Sequence, residues 1–220
     1  MMTNRTDTLL DDGLFLDAAS GAGPLAVRVL AACHAELNGE AAQRLDCAET
    51  TFGALFETAP AAPVSNGLLA RTMAELDLQE EEVERNEAAE WRGLPKALQS
   101  ALPDSGVGGW CPRFGGMNEI VLDSLCEPGV HARLLKLPAG WRAPEHSHGG
   151  DEITLVLQGS FRDEVSRYAA GDVCHAASGH LHRPVVDGDE DCICLAVEFG
   201  ELKPTNPVLS VAGAVLGRLF

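Results

Sequence analysis

Long apolar runs are absent from this sequence. Nothing in its 220 residues approaches the roughly 18 consecutive apolar positions that a membrane-spanning helix needs. The first dozen residues are polar and lack the basic-then-apolar pattern of an export signal, which predicts a chain that stays in the cytoplasm. Basic side chains are scarce. Lys and Arg total 16 against 33 Asp and Glu, for a net charge of −17, and so acidic a surface repels phosphate backbones and argues against direct nucleic-acid binding. The imbalance is sharpest in residues 1–90, where 5 basic residues face 17 acidic ones. A basic protein partner is the natural complement of such a segment, and solubility alone is the blander reading. Cysteines number seven, an odd count in a chain too large for a disulfide-stapled fold, and they read as reduced, mostly buried thiols.

What is present divides into two textures. Up to about residue 90 the apolar residues recur at helical spacing. Leu9, Leu10, Leu14 and Phe15 predict a first helix capped by Thr6 or Thr8, and the GAGP turn at 21–24 ends it. Pro24 then opens a second helix with Val29, Leu30, Cys33 and Leu37 on one face. A break at Gly39 precedes the clearest pattern, Ala41, Leu45, Ala48, Phe52, Leu55 and Phe56 in steps of three and four. A Pro/Ala stretch, 57–66, leads to a fourth helix capped by Ser65 and marked by Leu68, Leu69, Met73 and Leu76. The acidic run beyond Asp77 is expected to fray into disorder near 85–95. His34 is a lone histidine here, without the three or four converging donors a metal site needs.

From Gly106 short apolar runs alternate with Gly and Pro. Strands are expected at 118–125, 131–137, 152–158, 160–168, 172–176, 182–186 and 192–199, with turns at 127–129, 138–140, 169–172 and 187–191, the pattern of an all-β barrel or jelly roll. Within it lie the donors. His146 and His148, two apart, point to one side of a strand or its lead-in. Glu152 keeps that parity, Thr154, Val156 and Gln158 would follow it into the barrel, and His182 arrives from another strand. Three imidazoles and a carboxylate with open coordination positions suit Zn, Fe(II), Mn or Ni, and the ligand set does not choose among them. His180 shares the parity of His182 two residues away, while His175 and His131 read as barrel-surface residues.

Residues 140–159 fit the first cupin motif, G-x5-H-x-H-x3-E-x6-G, at every fixed position. The second, G-x5-P-x-G-x2-H-x3-N, is met at Gly171, Gly179 and His182, which selects His182 over His180. Ala177 replaces its Pro and Val186 its Asn, departures that weaken turn geometry and leave the four ligand positions intact. The segments EITLVLQGSFRDE (152–164), RYAAGD (167–172) and DCICLA (191–196), behind a helical stretch of about 90 residues, make the whole chain resemble the ChrR family of anti-sigma factors, strongly over 130–200 and weakly over 1–90.

That resemblance implies an α+β chain: an N-terminal helical anti-sigma domain (1–90), a linker (91–104), an all-β cupin barrel (105–200) and a tail (201–220). It implies a grip on an extracytoplasmic-function sigma factor, a cupin that senses singlet oxygen or organic hydroperoxide, and zinc as the usual metal. In the family the helical domain carries its own zinc on an upstream His and an H-x3-C-x2-C run. Here that run reads His34, Asn38, Ala41, and no His precedes residue 34, so no N-terminal zinc is expected and sigma binding has to stand without it. A helical segment that is a remnant without a partner is the bland alternative. A cupin dioxygenase or isomerase using Fe(II) or Mn, with the helices as an oligomerisation arm, is the enzymatic one.

Cys192 and Cys194 share one side of a strand, with Cys174 possible nearby. They read either as small buried residues or as thiols that take part in oxidant sensing through a metal or mixed-oxidation route, a flat strand placing i and i+2 poorly for a mutual disulfide. The tail from Lys203 to Phe220 carries a short apolar pattern suited to packing on the barrel or on a second copy in a homodimer.

Overall fold

The computed structural model describes residues 8–83, 93–102, 109–200 and 202–204. Helices α1 (Asp12–Ser20), α2 (Leu25–Leu37), α3 (Gly39–Glu57), α4 (Leu68–Val83) and α5 (Lys96–Ala101) come first. Strands β1 (Cys111–Pro112), β2 (Asn118–Val121), β3 (Val130–Leu137), β4 (His146–His148), β5 (Glu152–Gln158) and β6 (Ser160–Arg162) follow. The remainder are β7 (Arg167–Ala169), β8 (Val173–Ala176), β9 (Val185–Val186), β10 (Cys192–Phe199) and β11 (Leu202–Pro204). The acidic run 84–90 and the tail beyond 204 lie outside the described residues. No single helix among the described residues is long and apolar enough to cross a membrane.

Helix boundaries follow capping chemistry. The α1 cap is Asp11, whose carboxylate accepts from Gly13 N at 2.8 Å, rather than Thr6 or Thr8. Thr8 instead donates its hydroxyl to Asp172 at 3.0 Å, across to the barrel. Pro24 opens α2 as expected, its fixed φ suiting a first turn. The break between α2 and α3 falls on Asn38 rather than Gly39: its side-chain oxygen accepts from Glu40 N and Ala41 N, and its amide donates to Gly171 O at 3.2 Å. Within the span expected as a linker lies α5. Glu36 of α2 receives the N–H groups of Lys96 and Ala97 at 2.8 and 2.6 Å, a negative charge at a helix N-terminus, and Leu98 is fully buried.

The larger sheet has the antiparallel order β1-β2-β3-β10-β5-β8, opposed by β7-β6-β9 and by the pair β11-β4. One face carries Leu134, Leu195, Leu155 and Val173 in cross-strand register, and beside them Ala132, Val197 and Ile153. Phe15 of α1 and Val27, Leu30 and Ala31 of α2 join that layer in one continuous core. The helices therefore do not hold by their own stripe alone; they share a core with the sheet. Each fully buried Leu in the layer contributes roughly 2 kcal/mol. The other face closes the barrel interior with Leu137, Val156, Cys174, Cys192 and Cys194, against Phe161, Tyr168 and Val186. Burial on both faces explains why β5 and β10 read as nearly unbroken apolar runs.

Three strand expectations change in detail. The segment 160–168 is a hairpin, β6 and β7, because Asp163 accepts from Val165 N and Ser166 N and turns the chain. The segment 118–125 ends as a 3-10 turn at Asp123–Leu125. Gln158 is exposed rather than interior: the β5–β10 register skips from Val156↔Cys194 to Gln158↔Ile193, and this bulge reverses the parity beyond Val156. At the other end of the barrel, the first residues of the expected tail pair as β11 with β4, Leu202 opposite His148.

The α2–α3 corner sits directly on the barrel. At Gly171 φ is +87° and an added Cβ would lie 2.9 Å from Leu37 O, so only glycine lets the corner approach this turn. Beside it His34 is fully buried, stacked on Phe15 with centroids 5.9 Å apart, and neither ring nitrogen has a hydrogen-bond partner among the described residues.

Two outcomes follow from this corner. Asn38→Ala removes both a cap and the tie to Gly171 and is expected to cost roughly 2 kcal/mol in urea unfolding. Asn38→Asp keeps the cap, loses the donor, and should cost about half as much. Burial lowers His34 from its ordinary 6.5 to about 4, so between those values the unfolded chain binds a proton that the folded chain refuses. The stability tied to His34 is complete above pH 6.5 and drains away as pH falls toward 4, by up to roughly 3 kcal/mol. Unfolding at pH 7 and pH 4.5 should show a larger acid loss in the native sequence than in His34→Leu.

Candidate metal centre

The four expected donors come from three separate pieces of chain. His146 and His148 lie on β4, Glu152 opens β5 after the turn at 149–151, and His182 precedes β9. Gly150 makes the tight turn possible, since a Cβ there would fall 1.5 Å from Phe199 O. His182 is pinned by a reciprocal backbone pair with His146, N–H to O at 3.1 and 3.2 Å. His180 is exposed and outside the cluster, His131 is exposed, and His175 is an exposed partner of Asp151 at 3.0 Å.

The structure brings the four together. His182 Nε2 lies 3.0 Å from His146 Nε2 and 2.9 Å from His148 Nε2, and His148 Nε2 lies 2.9 Å from Glu152 Oε2. His146 Nδ1 sits 2.8 Å from Pro144 O, a contact made by donating its proton, which turns the Nε2 lone pair inward. Three ring nitrogens thus lie within 4.8 Å of one another, with the Glu152 carboxylate joined to them through His148, and a single N–H can relieve only one of these contacts. Ligands held at about 2.1 Å around one ion stand about 3.0–3.4 Å from each other, close to the 2.9 and 3.0 Å found here. The donor set is therefore one that a divalent cation satisfies.

Electrostatics favour the same state. Burial lowers the pKa of His146, and burial together with His146 takes that of His182 to about 4, so both stay neutral with lone pairs available. Burial alone would raise Glu152, but the hydrogen bond and charge of His148, with the Thr154 hydroxyl at 2.6 Å, bring it down to about 2. Burial also opposes protonation of His148, yet the adjacent Glu152 and Glu198 leave its pKa raised.

Sequence reasoning missed the polar chain beside this cluster. On β10, Glu198 is buried and paired with Arg133, which also holds Glu119 at 3.3 Å, while Arg113 caps Glu119 at 2.7 Å. Burial pushes the Glu198 carboxyl up against the pull of Arg133. The signal was readable: Glu198 shares the inward parity of Cys192 and Cys194. Those two thiols sit in contact, Sγ to Sγ 3.5 Å. Both face the same side of β10, as strand alternation predicts, and both remain free thiols. Hydrogen bonding to Cys192, then burial, raises the Cys194 pKa well above its ordinary value, and burial pushes the Cys174 thiol up to about 12.

Residues 99–203 match the model of the ChrR Cupin-like domain. The anti-sigma-E factor ChrR of Cereibacter sphaeroides is 38% identical over 201 residues, 88% of this chain and 90% of that protein. The chain belongs to the ChrR family of anti-sigma factors. The crystal structure of Rhodobacter sphaeroides SigE in complex with the anti-sigma ChrR matches at a TM-score of 0.66 and 34% identity, over 87% of this chain and 98% of that one. An RmlC-like cupin protein from Ralstonia eutropha is 29% identical over 43% of this chain and 64% of its own, at a TM-score of 0.39. Helices followed by a strand-rich cupin region are thus the architecture of the ChrR family, as the motifs imply. At the family's N-terminal zinc positions, Asn38 serves as cap and tie and Ala41 is fully buried. Among the described residues His34 joins no group of three metal-ligating side chains.

Proposed function

We propose that this chain sequesters an extracytoplasmic-function sigma factor in the cytoplasm and releases it under oxidative stress, acting as a regulator rather than a catalyst. The observation that carries the partner is the surface of α3 and α4. Leu55, Phe56, Leu69 and Met73 are 59, 73, 76 and 51% exposed within residues 1–90, where 17 acidic residues face 5 basic ones. Apolar anchors rimmed by negative charge suit a protein whose own task requires basic surfaces for DNA. The relative crystallised with SigE supports the same reading.

His146, His148, Glu152 and His182 are the residues that hold the metal in this proposal, zinc by family resemblance, with Fe, Mn or Ni compatible with the same donors. A bound ion would supply a Lewis-acidic centre. The helical corner works without a second zinc, held by Asn38 and the shared core. The oxidative signal is singlet oxygen or an organic hydroperoxide. A hydroperoxide oxidises one thiol of the Cys192–Cys194 pair to the sulfenic acid, releasing an alcohol; the second thiol then displaces water to close a disulfide. Thiol contact at 3.5 Å supports this route.

Co-expression of the full chain with the sigma factor of its own genome should yield a stoichiometric complex. Phe56→Asp with Met73→Asp should weaken it by at least tenfold, about 1.4 kcal/mol. A chain that never retains a sigma factor overturns the reading. Cys192→Ser with Cys194→Ser should leave sigma binding intact and abolish release by organic hydroperoxide; release at the native rate rules the thiols out as the sensor.

A further inference from the structure

The described residues hold two overlapping sets of converging donors. One is His146, His148 and His182; the other is His148, Glu152 and Glu198, with one ligating atom from each residue within 4.8 Å of the others. Glu198 belongs to neither cupin motif. It stands on β10 directly opposite Glu152 in register, and it is 8% exposed.

Its hydrogen bonding is one-sided. Oε1 is taken by Arg133, while Oε2 accepts no hydrogen bond among the described residues. Arg133 keeps Glu119 as a second partner, so it remains neutralised whatever Glu198 does with its free oxygen. On the other side, Glu152 commits Oε1 to Thr154 and turns Oε2 to the imidazoles. Two neighbouring carboxylates, each with one oxygen held by a hydrogen bond and each with a ligating oxygen within 4.8 Å of the other's and of a His148 nitrogen, repel each other unless a cation lies between them. Burial strengthens that repulsion.

We propose that Glu198 is a fifth protein donor to the metal held by His146, His148, Glu152 and His182, with Arg133 fixing the carboxylate through its other oxygen. The set then has three nitrogens and two oxygens. It leaves a narrower opening than four donors would, and it favours five or six coordination over a tetrahedral site. This rests on the metal reading given above.

Cobalt(II) tests both. Titration of the full, chelator-stripped chain should take up one equivalent with weak visible d–d absorption, the signature of five or six coordination. If no cobalt or zinc binds, the metal reading itself falls; two equivalents would restore a zinc to the helical corner. With binding established, Glu198→Gln should raise the visible absorption several-fold as coordination falls toward four, and weaken zinc in chelator competition at least tenfold. A Glu198 that only partners Arg133 would change stability and leave spectrum and affinity unmoved, which overturns the proposal. Should Glu198→Gln not fold, Glu198→Met with Arg133→Met removes the pair without stranding a charge, and the same spectral change is required of it.

Discussion

The fold depends on one wall, the pairing of β5 with β10 at the centre of the larger sheet. Ile153 and Leu155 of β5, with Leu195 and Val197 of β10, face α1 and α2 and anchor the core that the helices share with the barrel. The alternate residues Glu152, Thr154 and Val156, with Cys194 and Glu198, face inward to the donors and the thiols. Strand geometry makes this division automatic, since neighbouring side chains leave opposite faces. An apolar layer on one side and a polar cluster on the other are thus secured by the same backbone hydrogen bonds. Neither could be lost without exposing the other.

The α2–α3 corner is held by a cap, a tie and close packing. The family motif places two cysteines where this chain has Asn38 and Ala41. Asn38 satisfies two N–H groups at the start of α3 and ties the corner to Gly171, while Ala41 is small enough to be fully buried. His34 is buried and neutral beside them, with no partner for either nitrogen among the described residues. Its desolvation works against stability on the acid side, an expense that the surrounding apolar contacts offset.

Much of the candidate site was legible because its donors sit in two short, glycine-framed motifs whose spacing is local. His146, His148 and Glu152 lie within seven residues, and the Gly179–His182 spacing distinguishes His182 from His180. Glu198 was not read because strand parity alone marks it, with no motif around it. It reaches the cluster only through the register of β10 on β5, a pairing 46 residues apart in sequence. The exposure of Gln158 was missed for a different reason. A bulge leaves no trace in an apolar run, yet it reverses parity for everything beyond it. Helix ends were misplaced by a residue or more where Asp11 and Asn38, rather than the neighbouring Thr and Gly, supplied the capping oxygen.

The placement of donors on both sides of the chain's own crossings bears on how such a site can report. Glu152 and Ile153 are consecutive, the first meeting His148 and the second packed in the helix-facing core. Across the same strand, β8 pairs with β5 from Leu155 to Glu152 and begins at the Gly171–Asp172 turn that receives Asn38 and Thr8. Packed interiors resist continuous deformation, so a strand carries a displacement rather than absorbing it. A change in what the carboxylate of Glu152 binds therefore acts on β5 itself, and β5 touches the helical segment by two routes: its outward side chains and the turn that opens β8. The exposed apolar side chains of α3 begin one helix beyond that corner. The distance from the His148–Glu152 cluster to the exposed apolar side chains of α3 is thus spanned by contiguous packed elements.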